Sequence, residues 1–278
     1  MKKNVLSNSA KLLIGIAILG LASLIIFGTN LFGSKPKVSI ITSVWKGDLF
    51  IEGFMEDITK QTIFPKAELI IINANSPGNE EPVIQKYLDK YKNIRYVKLE
   101  KDPGLYAVWN IAIKMAQADY ITNANIDDRS KADAIEQQVA YLDEHPEYEL
   151  VYSGYLITQQ PNETMDDHHA RWYCDSPEFS IKGMMNCLPG PRPVWRKAVH
   201  EKCGYFDETF TSAGDLEMWL RAVDKGSEFK KIPGFLTLFY LNPEGISTNK
   251  DVEKAKLRIE ENKKIYAIYN HLWDKDKQ

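Results

Sequence analysis

From residue 38 to residue 126 short apolar runs alternate with amphipathic ones, a rhythm that few folds accept. "VSIITSVW" (38–45) is β-branched and apolar, as a buried strand requires. Residues 48–61 place Leu49, Phe50, Phe54 and Ile58 at helical spacing. "AELIIINA" (67–74) reads as a second strand and runs into the turn formers "NANSPGNEE". A helix over 81–91 and a third strand, "IRYVKLE" (94–100), follow. A helix then opens at "DPG", with Val108, Ile111, Ala112 and Met115 on its apolar face, and "DYITNANI" (119–126) is the fourth strand. Strand and helix in alternation, with short connections, predict an α/β fold: a mostly parallel sheet with helices on both faces. Such sheets bind ligands outside the carboxyl ends of their strands. Three of those ends, at 43–45, 73–76 and 125–128, carry distinctive residues that the topology brings to one edge.

The last of these ends sets two carboxylates, Asp127 and Asp128, side by side. A turn explains the pair, because Asp bonds its own backbone there. A hard cation explains it equally, because it collects carboxylate oxygens. Asp128 or Ser130 as the cap of a helix starting near Lys131 is a third reading. Composition narrows the partners: 35 Lys and Arg against 38 Asp and Glu give a net charge of -3, without the basic excess of a nucleic-acid binder. The three cysteines, Cys174, Cys187 and Cys203, are too few and too widely spaced for a disulfide framework or a metal knuckle.

Residues 12–32, "LLIGIAILGLASLIIFGTNLF", carry no charge. A helix of that length spans roughly 30 Å, the thickness of a bilayer core. Residues 1–36 are therefore expected to be a tail, one transmembrane helix and a linker. A cleaved signal peptide is the alternative; Lys2 and Lys3 would supply its basic end, but the apolar run is long and no A-x-A site follows. The second half is less regular. It reads as a helix over 131–144, a strand over 148–159 bent at Gly154, and a long polar and aromatic loop over 161–186. A short helix and turn within 190–210, a helix over 214–225, a strand over 229–240 and an amphipathic helix over 252–273 complete it.

In this order the pieces resemble the family 2 glycosyltransferases of GT-A fold, over residues 38–248. "DPGLYAVWNIAIKMAQADYI" is similar to the family's D-x-G-x-x-x-A-x-N stretch, "NIDD" to its metal-binding D-x-D-D, and "GYFDETFTSAGDLEMWLRA" to the segment that holds its catalytic base. Two motifs depart from the pattern. "NANS" stands where the family often has Asp-Asp-Gly-Ser, and Asn125 replaces the first Asp of D-x-D. The Q-x-x-R-W motif of processive polysaccharide synthases does not follow Asp215.

The resemblance implies a Rossmann-like GT-A domain over 37–249. Its nucleotide-sugar-binding half would be 37–130 and its acceptor half 131–249, with a C-terminal helix over 250–278. It implies a nucleoside-diphosphate sugar as donor, a glycan, lipid or protein hydroxyl as acceptor, and inversion. Mg²⁺ or Mn²⁺ would be held by Asp127 and Asp128. Thr42, Val44, Asn73, Asn75, Asp102, Asn110, Asn125 and Asp127 would surround the donor. Asp215 would be the base. Arg192, Trp195 and Glu217 would face the diphosphate or the acceptor. Two rivals remain: a non-catalytic nucleotide-sugar-binding relative, which the three Asn residues favour, and a nucleotidyltransferase, whose glycine-rich phosphate loop is not seen after the first strand. Membrane sidedness stays open. The flanking lysines lean toward a cytoplasmic N-terminus, whereas a cytosolic donor pool in a bacterium argues for a cytoplasmic catalytic domain.

Overall fold

A computed structural model describes residues 34–184 and 189–272. Four parallel strands form its first half: β1 (Val38–Val44), β2 (Ala67–Asn73), β3 (Ile94–Lys98) and β4 (Tyr120–Asn123). Every residue of β2 is buried. Its alternate side chains feed two cores, Ile70 and Ile72 on one face, Leu69 and Ile71 on the other. That two-sided burial is why the strand reads as an unbroken apolar run. On one face pack α1 (Ile51–Thr59), α2 (Glu81–Lys90) and α4 (Ala134–Glu144), through Phe54, Ile58, Ile84, Ile135 and Leu142. On the other packs α3 (Leu105–Met115), through Val108, Trp109, Ala112 and Ile113.

The sheet continues past β4 in the order β3-β2-β1-β4-β8-β6-β9-β5, with β7 (Trp172–Cys174) on β6 (Leu150–Thr158). β8 (Val194–Arg196) lies antiparallel between β4 and β6; the sequence was expected to form a helix and turn there. Only three residues after Pro193, it is too short to show a period. β9 (Phe229–Tyr240), a strand as expected, runs parallel beside β6 and also pairs with β5 (Arg129–Ser130). The bend anticipated at Gly154 is a register shift between Tyr152 and Tyr155. A side chain at Gly154 would meet the Phe235 ring and the Cys174 carbonyl within 3.0 Å.

Within the polar loop lies a short helix, α5 (Ile181–Met184), and α6 (Val199–Cys203) follows β8. The second helical face is completed by α7 (Gly214–Asp224) and α8 (Val252–Tyr269). α8 buries Glu261, Ile265 and Tyr269 but exposes Val252, Leu257, Ile259 and Ile268, so its apolar stripe is used only in part. The expected span at 12–32 lies outside the described residues, as do Cys187 and Trp273. Among the described residues no helix is long and apolar enough to cross a membrane. Cys174 and Cys203 are free thiols.

Candidate active site at the carboxyl edge of the sheet

The loops after β1 and β2 are tied together by a carboxylate the motif reading did not single out. Buried Glu80 accepts Gly47 N–H at 2.6 Å and Ser76 Oγ–H at 2.7 Å, and Ser76 Oγ accepts Lys46 N–H at 2.8 Å. Asn73 belongs to the same scaffold. Its Oδ1 accepts Ser76 N–H and its Nδ2 donates to Tyr96 Oη, so both ends of the amide expected at the nucleobase are engaged by the chain itself. Asn75, two residues on, is exposed in a left-handed conformation (φ 58°). Thr42 and Val44 are buried; Thr42 Oγ1 has no partner among the described residues, and Val44 O accepts Ala74 N–H. Asp102 accepts Gly104 N–H at 2.8 Å and so closes the turn before α3. Asn110 is buried away from this edge. It donates to Phe206 O and Glu208 Oε1 and accepts Phe206 N–H, which corrects its expected place at the nucleotide.

The two neighbouring carboxylates behave differently. Asp128 is 1% exposed. Its Oδ1 accepts Tyr240 N–H at 3.1 Å and its Oδ2 accepts Asn125 Nδ2–H at 3.2 Å. Burial, and then the charge of Asp127, push its pKa up to about 7. Turned inward and engaged at both oxygens, Asp128 is not placed as a metal ligand. Asn125 explains itself here: an Asp at that position would face a buried carboxylate with another, whereas the amide donates to it. Asp127 is half-buried; Asn242 Nδ2 donates to its Oδ2 at 2.9 Å, and its Oδ1 has no partner among the described residues. Arg129, also buried, clasps the turn through Ile126 O and Asp128 O.

Among the described residues no three His, Cys, Asp or Glu side chains gather to enclose an ion. One carboxylate with a free oxygen at the mouth of a sheet is nevertheless the donor set that Mg²⁺ or Mn²⁺ accepts when a diphosphate supplies the other oxygens. Asp127 fits that role.

Asp215 stands on the first turn of α7. The cap position is Ala213, so the carboxylate is not the helix cap. It is exposed, and it accepts Leu216 N–H at 2.9 Å and Tyr106 Oη–H at 3.3 Å. Protein crowded about the carboxyl raises its pKa even though the residue keeps contact with solvent. Tyr106 opens α3, which starts from the same edge of the sheet, and Gly214 lies directly on its ring. From behind, α8 supplies Glu261, 7% exposed. Its carboxylate accepts the N–H groups of Thr211, Ser212 and Ala213 at 2.6, 2.9 and 3.0 Å and the Ser212 hydroxyl at 3.0 Å. A negative charge at a helix N-terminus is the favourable arrangement.

Three further expectations are corrected. Trp195 is wholly buried in mid-sheet and donates from Nε1 to His200 Nε2, so it cannot face an acceptor. Arg192 is 4% exposed, bonded to Ser130 Oγ at 2.5 Å and 3.8 Å from Asp57; it is an internal countercharge rather than a diphosphate clamp. Glu217 is buried between Arg221 at 2.7 Å and Tyr269 Oη at 2.8 Å, where it joins α7 to α8. Such a pair is structural, since neither oxygen is left for a ligand.

A parallel half-sheet with an acidic turn at its edge, continued through antiparallel β8 into a mixed half, defines a GT-A transferase fold. The chain belongs to glycosyl transferase family 2, whose profile matches residues 39–203. It is 26% identical over 221 residues to the glycosyltransferase TuaG of Bacillus subtilis, named for teichuronic acid biosynthesis; the match covers 78% of this chain and 83% of that one. S. aureus TarS 1–349 in complex with UDP-GlcNAc superposes with a TM-score of 0.66 at 17% identity, over 85% of this chain and 72% of that one. The mannosyltransferase PcManGT of Pyrobaculum calidifontis, in complex with GDP-Man and Mn²⁺, gives 0.60 at 13% identity, over 77% of this chain and 59% of that one.

Proposed function

We propose that this chain transfers a sugar from a nucleoside-diphosphate sugar to an acceptor hydroxyl, with inversion at the anomeric carbon. The observation that carries the reading is the disposition of two carboxylates at one sheet edge. Asp127 offers an unbonded oxygen there, while Asp215 is exposed and steadied by Tyr106, whose helix starts from that edge. In this reading Asp215 takes the proton of the acceptor hydroxyl as that oxygen forms its bond to the anomeric carbon. The bond from that carbon to the diphosphate oxygen breaks, and the nucleoside diphosphate leaves. Burial raises the pKa of Asp215 above the ordinary carboxylate value, which makes it a stronger base. Mg²⁺ or Mn²⁺ bound at Asp127 would neutralise the charge that develops on the leaving diphosphate. The relatives solved with UDP-GlcNAc or with GDP-Man and Mn²⁺ support this choice of donor and ion. Exposed Asn75 is the amide left to meet the nucleobase, and residues 12–32 would tether the domain to a bilayer.

The test is a donor screen. Release of free nucleoside diphosphate is followed from several nucleotide sugars, with and without Mn²⁺, for the chain and for Asp127→Ala and Asp215→Asn. Metal-dependent release from one donor, lost in both variants, is the expected result. Binding of nucleotide and metal without any turnover would instead make the chain a sugar-nucleotide-binding relative.

A further inference from the structure

A cavity of about 620 Å³ opens at the carboxyl end of β6, two strands beyond β4 in the sheet. Thr158, Gln159, Gln160, Glu163, His169, Arg171 and Trp172 line it. It adjoins the acidic turn by a short chain of contacts: Thr158 pairs with Tyr240, Thr158 O accepts Leu241 N–H, and Asn242 holds Asp127. Its wall is fixed rather than loose. Glu163 accepts the Thr158 hydroxyl as well as the backbone N–H and the ring Nδ1 of His169, the last two at 2.9 and 2.6 Å. Asn162 fastens the loop on both sides, accepting from Arg129 Nη2 at 2.7 Å and donating to Leu49 O at 2.8 Å. On this fixed wall four groups are uncommitted. The Gln159, Gln160 and Arg171 side chains are exposed and have no hydrogen-bond or ionic partner among the described residues, and Trp172 is 49% exposed.

We propose that this cavity is an acceptor subsite for a sugar unit carrying a negatively charged group. The inference rests on the transferase reading above and names the chemistry of its second substrate. A flat indole with amide donors and acceptors around it matches a sugar ring, whose C–H face is apolar and whose rim is hydroxyl. Arg171 adds a fork of donors that fits a carboxylate or a phosphate, and the Glu163 oxygens are turned to Thr158 and His169 rather than to it. The donor is not the natural occupant. Its edge lies at the ends of β1, β2 and β4, whereas this cavity lies beyond β8, at the carboxyl end of β6 and against β7.

The experiment measures binding of fluorescently labelled oligosaccharides of three kinds, neutral, uronate-bearing and phosphate-bearing, to the full chain with Mn²⁺ and nucleoside diphosphate present. Trp172→Ala and Arg171→Ala are compared with the unmodified chain, and slow hydrolysis of the donor without acceptor is read in parallel. One anionic class is expected to bind about tenfold more tightly than its neutral counterpart, a factor worth about 1.4 kcal/mol. Arg171→Ala removes that preference. Trp172→Ala weakens all binding about tenfold, as loss of an aromatic anchor at an interface does. Donor hydrolysis is unchanged in both. Which anionic class binds separates a uronate from a phosphate acceptor. Unaltered binding in both variants, equal binding of neutral and anionic probes, or no binding by a chain that still hydrolyses donor would each overturn the proposal. Loss of donor hydrolysis from the unmodified chain would instead count against the transferase reading.

Discussion

Replacing Glu261 by Gln tests whether α8 holds the helix that carries Asp215. The carboxylate accepts four hydrogen bonds, one at Oε1 and three at Oε2, and is almost wholly buried. An amide has a single acceptor oxygen. Turned toward Ser212 and Ala213, it sets its NH2 against the N–H of Thr211; turned the other way, it opposes three donors. The better orientation loses one charge-assisted bond, about 1.5–3 kcal/mol, and weakens the other three from ionic to neutral. A total of about 2–4 kcal/mol follows, less any relief from a water that enters. For a domain of this size that lowers the thermal midpoint by about 5–15 °C. Urea denaturation followed by tryptophan fluorescence measures the first quantity, and calorimetry the second. Glu260→Gln, at the exposed neighbouring position, is the control and should change neither. In the transferase assay Glu261→Gln is expected to lower kcat with little change in the donor KM. The reasoning is refuted if Glu261→Gln and Glu260→Gln unfold at the same urea concentration.

Four other outcomes are expected. Asp127→Asn should raise the Mn²⁺ concentration for half-maximal donor turnover at least about tenfold, as loss of a charged ligand does; a metal titration reads it. Asn125→Asp should destabilise the chain by about 1–3 kcal/mol in urea unfolding, because it opposes Asp128 with a carboxylate. Gly214→Ala should lower both kcat and the thermal midpoint. Its Cβ would lie 2.7 Å from a Tyr106 ring that Trp109 and Phe206 hold in place, an overpacking cost of about 1–3 kcal/mol. His200 supplies a pH dependence. Burial lowers its pKa from 6.5 to about 4, and it stays neutral to accept from Trp195. Between those values the unfolded chain binds a proton that the folded chain refuses. Stability therefore rises with pH through the window and is lost as pH falls from 6.5 toward 4, by about 3 kcal/mol in all. Urea unfolding at pH 7 and pH 4.5 should show a smaller pH difference for His200→Gln than for the unmodified chain.

The parts of the fold that announce themselves are those with continuous burial. β1, β2 and β4 lie between two helical layers, so their apolar runs are unbroken, and β9 shows itself over its whole length. β8 does not, because three residues between Pro193 and Lys197 carry no period; Trp195 then looks like a surface aromatic when it is the centre of the sheet. At the site the motif locates the acidic turn but cannot tell Asp127 from Asp128. That distinction is made by Tyr240 and Asn242, 112 and 115 residues away. Glu80 and Glu261 escape a reading by motif for a related reason. Most of their partners are backbone N–H groups in distant loops, which any sequence possesses. Conversely Asn73, Asn110 and Arg192 have the residue types of ligand contacts and are engaged inside the protein.

The return of β9 to the acidic turn also orders events during synthesis. Asp128 has no backbone donor and Asp127 no amide until residues 240–242 have left the ribosome, more than a hundred residues after the turn itself. Chains are made at about 5–20 residues per second, so the two adjacent carboxylates wait on the order of ten seconds as a solvated, mutually repelling pair. The parallel strands can pair during that interval, but the edge that would receive the donor closes only when nearly the whole domain has emerged. A nascent chain stalled before residue 240 would hold a sheet with no finished donor edge.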